Sequence, residues 1–323
     1  MNGNMRKVKD KKEKIEKLFP DEHRKYTFWS PKDSIEGKHK GYMLYAYGGY
    51  VLGLYLDNDE LKVKLNVSDK YYEYSKSAET GALSETEYKD RLTPIESYIL
   101  TGEEAAETGD AFDFAFKVCR NRAKGTAIHH PKRYLERMRE TAIARKHSST
   151  TSDFWIIEME SKMPVNGKKP DLIGIQITDN KPVFYFVEYK CTTGAMGGNQ
   201  CPIAHLKDMA KYYNTLNLRG FESYAERLGH SADLSDAERK ILFLFSNVSK
   251  TGKDGMTYQK AINGIEKLKD FKGDNEDFKG DNEVLENVRI AIIQDENDTI
   301  WPGKFYSIED AVALLKEQKK SDK

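Results

Sequence analysis

The sequence predicts an α/β protein: a mixed sheet in a helix–strand–strand–strand–helix–strand core, preceded by a smaller α+β domain. Three observations lead there. Between residues 131 and 245 the hydrophobic pattern runs helix, three strands, helix, strand. Short turns join the first three strands, which therefore pair antiparallel, whereas the fourth returns after a helix and is expected to run parallel. The 323 residues also exceed one typical domain. The expected division is an N-terminal α+β domain over residues 1–125 and the α/β domain over residues 126–323.

Along the first domain, residues 6–17 mix charges of both signs with few apolar side chains, as a solvated helix or frayed tail does. Residues 41–56 are rich in Tyr, Leu and Val, and residues 61–67 alternate apolar with polar. Asp57-Asn58-Asp59-Glu60 between them suits a hairpin turn. Thr93-Pro94-Ile95-Glu96 reads as a capping box with proline at the first helical position. A second helix over residues 110–123 is expected to stop at Gly125. This half offers no chemical motif.

In the second domain, residues 131–146 form a helix with Leu135, Met138 and Ala142 on one face. Residues 154–163 are a strand, and Asn166-Gly167 turns the chain. Residues 171–178 are the next strand, and Asp179-Asn180 turns again into a third over residues 183–191. That third strand is apolar on both faces, hence central and buried. Residues 202–216 form a helix with Ile203, Leu206, Ala210 and Tyr213 inward. Strands follow at 241–245 and 288–294, and a last helix is capped by Ser307 and Asp310 with Val312 and Leu315 inward. The heptapeptide DFKGDNE occurs twice in succession over residues 270–283. It lacks the ligand alternation of an EF-hand and reads as a duplicated surface loop.

Composition excludes several classes. Lys plus Arg and Asp plus Glu are 52 each, so net charge does not point to nucleic acid and does not exclude a local basic cleft. The three cysteines, Cys119, Cys191 and Cys201, show no CxxC spacing, which argues against a disulfide framework or zinc knuckle and fits a reducing, cytoplasmic setting. No apolar run is long enough to span a bilayer, and the charged N-terminus lacks a signal peptide's apolar stretch.

The chemistry-bearing residues lie on the second and third strands. Asp171 follows Pro170 at the start of one, and Glu188 and Lys190 stand two apart on the next. Alternation puts Glu188 and Lys190 on one face and Tyr189 on the other. With matching register, Asp171 joins them, and two carboxylates and an ammonium converge on a buried sheet. Charges there are costly without a partner. A divalent cation between Asp171 and Glu188 would resolve the like-charge conflict, with the Tyr189 carbonyl as a further oxygen ligand; Mg²⁺ suits such a set.

Pro170-Asp171 followed by Glu188-Tyr189-Lys190 resembles the PD-(D/E)XK nuclease superfamily, and the order of elements is that of its restriction-endonuclease-like core. The resemblance covers about residues 131–245. It implies a nuclease that hydrolyses phosphodiester bonds of DNA, less so RNA, with Mg²⁺ or Mn²⁺, in restriction or defence. Asp171 and Glu188 would bind the metal, and Lys190 would assist the attacking water. Family members often add a glutamate from the first helix. Glu136 and Glu140 are both candidates, Glu136 being preferred. Many add a polar residue from the helix after the third strand, often Gln; here that helix carries His205, Lys207 and Asp208, with Gln200 just before it, which departs from the pattern. The N-terminal domain would supply target recognition, regulation or dimerisation, a homodimer being one assembly it allows.

Two other readings compete: a binding module of the same fold that no longer cleaves, and a structural protein in which Glu188 and Lys190 are only a buried salt bridge. Glu158 and Glu160 on the first strand either reach the metal or mark a solvent-facing strand end. His129-His130 either touches phosphate or belongs to a helix start. The glycine-rich loop over residues 192–199 either allows close approach of a nucleic-acid strand or is a flexible connection with no role. Lys168, Lys169 and Lys181 flank the expected active edge. Cys191 should face away from the metal and pack.

Overall fold

The computed structural model describes residues 3–35, 39–68, 71, 73–75, 83–129, 133–148, 153–159, 169–191, 196–198, 201–252, 255–271, 281–293 and 305–322. The Asn166-Gly167 turn, Glu160, Lys168, His130, Gln200, the 192–195 stretch and most of the duplicated heptapeptide lie outside the described residues. The chain divides into two compact units, Met1–Arg145 and Lys146–Lys323. No described helix is long and apolar enough to cross a membrane.

The first unit contains α1 (Gly3–Lys17), α2 (Asp21–Arg24), β1 (Thr27–Ile35), β2 (His39–Ala46), β3 (Gly49–Asp57), β4 (Glu60–Leu65), α3 (Glu85–Thr101), α4 (Thr108–His129) and α5 (Arg133–Lys146). Its strands form an antiparallel meander in the order β1-β2-β3-β4. The apolar stretch over residues 41–56 is two strands, split by a turn at Tyr47 and Gly48, both at positive φ. Asn58 and Asp59 make the expected second turn in the same left-handed region. β1 carries Pro31, which disguises it in the sequence; it is an edge strand, the place where a missing N–H breaks no ladder. One face of the meander supplies Trp29, Leu44 and Leu52 to a core shared with Ile95 and Ile99 of α3 and Phe112 and Phe116 of α4. Val8 and Ile15 of α1 are buried in the same core, so residues 6–17 are a docked helix rather than a frayed tail.

Two helix boundaries differ from expectation. α3 starts at Ser84, whose hydroxyl accepts from Glu87 N while Glu87 Oε2 accepts from Ser84 N. Pro94 therefore lies inside the helix. The buried stripe Tyr88, Leu92, Ile95 and Ile99 runs past it, and burying such side chains at about 1.5–3 kcal/mol each outweighs a proline cost of about 3 kcal/mol. α4 passes through Gly125 to His129, because an interior glycine costs only about 1 kcal/mol and is no stop by itself.

The units divide after Arg145, whereas the sequence placed the boundary after Gly125. The difference is α5. Thr141 Oγ1 accepts from Gly48 N at 2.7 Å, Arg145 pairs with Glu16 at 2.9 Å, and Met138 packs on the first unit's core.

The second unit contains β5 (Phe154–Met159), β6 (Leu172–Thr178), β7 (Lys181–Lys190), α6 (Pro202–Tyr213), β8 (Glu238–Ser246), α7 (Tyr258–Glu266), β9 (Val288–Ile293) and α8 (Ile308–Ser321). Its sheet order is β9-β8-β7-β6-β5, antiparallel among β5, β6 and β7 and parallel among β7, β8 and β9. This is the expected α/β class with a mixed sheet, and β7 is its central strand. Phe184 and Phe186, Ile173 and Ile175, and Ile241, Phe243 and Phe245 share one core with Leu206 and Met209 of α6. α7 and α8 add Ile262, Ile265, Val312 and Leu315. Ser307 caps α8 as expected, its hydroxyl accepting from Asp310 N.

Candidate active site

The site is set by the β6–β7 hairpin. Asp179 and Asn180, at φ 50° and 60°, make its turn, and the pairing then runs from Thr178↔Lys181 to Leu172↔Val187. One further step along this register sets Asp171 opposite Glu188. Opposed residues of an antiparallel pair project to the same face. That face is the one covered by α6, since Ile173 and Phe186, the pair two steps back, lie in the core with Leu206. The strand ladder ends here because Pro170 has no N–H to offer Tyr189. Asp171 Oδ2 takes over at the strand end and accepts from Tyr189 N at 2.8 Å. In a strand the N–H and C=O of one residue point to the same side, so the Tyr189 carbonyl also faces the Asp171 edge.

Glu188 and Lys190 are each 1% exposed. Lys190 Nζ lies 2.5 Å from Glu188 Oε1, and His205 Nδ1 from α6 lies 2.8 Å from the same oxygen. Oε2 takes part in neither contact. Burial pushes the Glu188 carboxyl up, but the charge of Lys190 and the hydrogen bond and charge of His205 outweigh it and hold the group below the ordinary glutamate range. Beside them, burial and then the negative charges of Glu188, Asp208 and Asp171 push the Tyr212 phenol well above the ordinary tyrosine range. Asp171 and Glu188 thus act on one phenol from α6. His205 Nε2 is buried and has no hydrogen-bond partner among the described residues.

Glu158 joins this face, against the simple alternation that groups it with Phe154 and Ile156. A bulge between Ile156 and Glu158 inserts one residue: Ile156 pairs with Gly174 and Glu158 with Ile173. Glu158 is therefore turned from the Ile156 face to that of Ile173 and Asp171, and it is 2% exposed. Three neighbouring strands each place one carboxylate on the α6 face, and β7 and α6 add Lys190 and His205. The donor chemistry, carboxylates with a backbone carbonyl nearby, is the oxygen set that suits Mg²⁺ or Mn²⁺. Asp171 and Glu188 engage protein donors, and the three carboxylates are not gathered into a three-ligand cluster. Among the described residues, the three such groups whose donor atoms all lie within 4.8 Å of one another are Glu22, His23 and Asp113 of the first unit.

The other expected residues fall as follows. Glu136 is half-buried and Glu140 buried on α5, which groups with the first unit, so the second unit carries neither within its own fold. Tyr189 projects its side chain to the opposite face, where its hydroxyl lies 2.5 Å from Ser246 Oγ. Cys191 is buried and packs, as expected. Lys181 is exposed at the start of β7, roughly 20 Å along the strand from Glu188 at 3.3 Å per residue; it does not flank the site. His205 and Glu158 are the residues whose role the sequence left most open. Helical spacing marks His205 as inward. For Glu158, no sequence signal reveals the bulge. No protein-family model matches this chain, and neither a curated protein nor a solved structure matches it.

Proposed function

We propose that the second unit is a metal-dependent nuclease with a restriction-endonuclease-like core of the PD-(D/E)XK kind, hydrolysing phosphodiester bonds of DNA. The observation that carries this reading is the closed Glu188–Lys190 pair with Asp171 opposite it in register, at the carboxyl end of the central strand. Open α/β sheets bind ligands at that end. Asp171 and Glu188, with the Tyr189 carbonyl, would hold Mg²⁺ or Mn²⁺. Such an ion lowers the pKa of a bound water and stabilises charge on phosphate oxygens. Lys190 holds a positive charge beside the carboxylates, where it can orient a water and neutralise charge developing on phosphate. His205 fixes Glu188 from α6, the position where Gln was the expected residue. Glu158 adds a third carboxylate on the metal side.

The chain's own contacts also describe a rival. Glu188 already has the Lys190 ammonium and His205 Nδ1 on one oxygen, as in a structural ion pair without catalysis. Cleavage assays on single- and double-stranded DNA and RNA, with Mg²⁺, Mn²⁺ or chelator, separate the two. The nuclease reading expects cleavage that needs metal and falls about 100-fold or more in Lys190→Ala and Asp171→Asn. Cleavage that persists in chelator, or in both variants, removes these residues from the mechanism. Folded protein that cleaves none of the substrates favours the structural pair.

A further inference from the structure

We propose a second metal site, of the zinc class, in the first unit: Glu22, His23 and Asp113 bind one divalent transition-metal ion, leaving a coordination position open to solvent. His23 is fully buried on α2. Its Nε2 faces two carboxylate oxygens, Asp113 Oδ1 at 3.0 Å and Glu22 Oε1 at 3.3 Å. Two ligands each about 2.1 Å from a tetrahedral ion stand about 3.4 Å apart, so these separations need little adjustment to close around one. One imidazole and two carboxylates also balance a doubly charged ion to neutrality, and imidazole with carboxylate favours zinc over magnesium.

The surroundings fit the pattern of ligands held by a supporting layer. His23 Nδ1 lies 2.7 Å from Tyr47 Oη. When Nδ1–H donates to that hydroxyl, the Nε2 lone pair points at the carboxylates, a conflict that a proton on Nε2 or a cation between them relieves. Lys117 Nζ lies 2.7 Å from Asp113 Oδ2, which leaves Oδ1 for the ion. Tyr47 is held at φ 51° in the β2–β3 turn, a conformation a tyrosine adopts only at a cost. Its ring stacks on Tyr26 at 4.9 Å. The position is kept by tyrosine where Asn or Gly would make the easier turn. Glu22 is 65% exposed and lines an open cavity with Tyr47, Lys25 and Arg120. Arg120 Nε is buried there with no hydrogen-bond partner among the described residues. The open coordination position therefore faces a cavity that holds two cationic side chains and suits an anionic ligand. This site is separate in residues and in ligand chemistry from that of Asp171 and Glu188.

The test is zinc uptake by the full chain, stripped of metal and titrated with Zn²⁺ against a chromophoric chelator. A Co²⁺ titration read by visible absorbance runs in parallel. One tight equivalent is expected, over and above any weaker uptake by the carboxylates of the second unit, and it persists with the same affinity in an Asp171→Asn/Glu188→Gln variant. Affinity should fall at least about tenfold in Glu22→Gln and about tenfold or more in Tyr47→Phe, as loss of a ligand or its support does. His23→Gln should abolish uptake. Since His23 is buried and its replacement can unfold the unit, the exposed Glu22 carries the decision. No uptake by the unsubstituted chain overturns the proposal, leaving His23 as a plain hydrogen-bond donor to Asp113. So does uptake unchanged in Glu22→Gln, or uptake lost only with Asp171 and Glu188.

Discussion

Lys190 keeps its ammonium 2.5 Å from Glu188 Oε1 with both side chains closed to solvent. Taking two charges out of water is expensive, and an apolar pair of similar size often serves stability as well or better. The pair is therefore weak evidence for stability and stronger evidence for a use of the charges. What it costs to break is a different quantity. Lys190→Met leaves the buried Glu188 carboxylate without its ammonium, held by His205 Nδ1, and should destabilise the chain by about 3–5 kcal/mol. Adding Glu188→Leu removes the stranded carboxylate and should recover most of that loss. Urea unfolding of the wild type, the single variant and the double variant checks this. A single variant within about 1 kcal/mol of wild type would place Glu188 in contact with water and contradict its burial.

At the scale of elements, the hairpin of β6 and β7 was legible because every local signal agreed. Asp179-Asn180 suits left-handed turn positions, and period-two alternation puts Glu188 and Lys190 on one face. β5 was legible as a strand but not in its facing. The bulge after Ile156 reverses the alternation, and a bulge depends on what the partner strand offers rather than on a residue type. α3 shows a competition between two signals: Ser84 and Glu87 form a capping box upstream of the Thr93-Pro94 string that imitates one. The same sheet makes a packing prediction. On the face away from α6, the Phe154 ring lies over Gly174, and a Cβ there would come within 2.5 Å of the ring tip. Phe154 is buried between His147, Tyr185 and Phe305 and has little room to give. Gly174→Ala should cost about 1–3 kcal/mol by overpacking, and Phe154→Leu in the same chain should relieve part of it. Additive losses in the double variant, read by thermal unfolding, would show that the two positions do not press on each other.

For the molecule as a whole, the sequence marked two domains but put their boundary at a glycine, whereas α5's attachments to Gly48 and Glu16 decide the division. Such attachments join residues far apart in the chain and leave no local trace. The second unit opens on His147, whose carbonyl accepts from Ile156 N at 2.9 Å and whose ring stands edge-on to Phe154. Burial disfavours the imidazolium there and lowers its pKa from 6.5 to about 4, against a smaller opposing hydrogen bond with the Phe154 backbone. His230, stacked on Trp155 at 4.1 Å, is lowered for the same reason. The sign follows from proton linkage. Between these two pH values the unfolded chain protonates His147 while the folded chain does not. The stabilisation is thus complete above about pH 6.5 and disappears as the pH falls through about 4. A depression of this size corresponds to about 3 kcal/mol at most. Unfolding free energies measured from pH 7.5 down to 4.5 should therefore fall more steeply for the wild type than for His147→Gln. Most of the difference should develop below pH 6.5, and replacing His230 as well should flatten the curve further. Parallel curves for wild type and variant would mean that His147 accepts a proton in the folded state and that its site admits water.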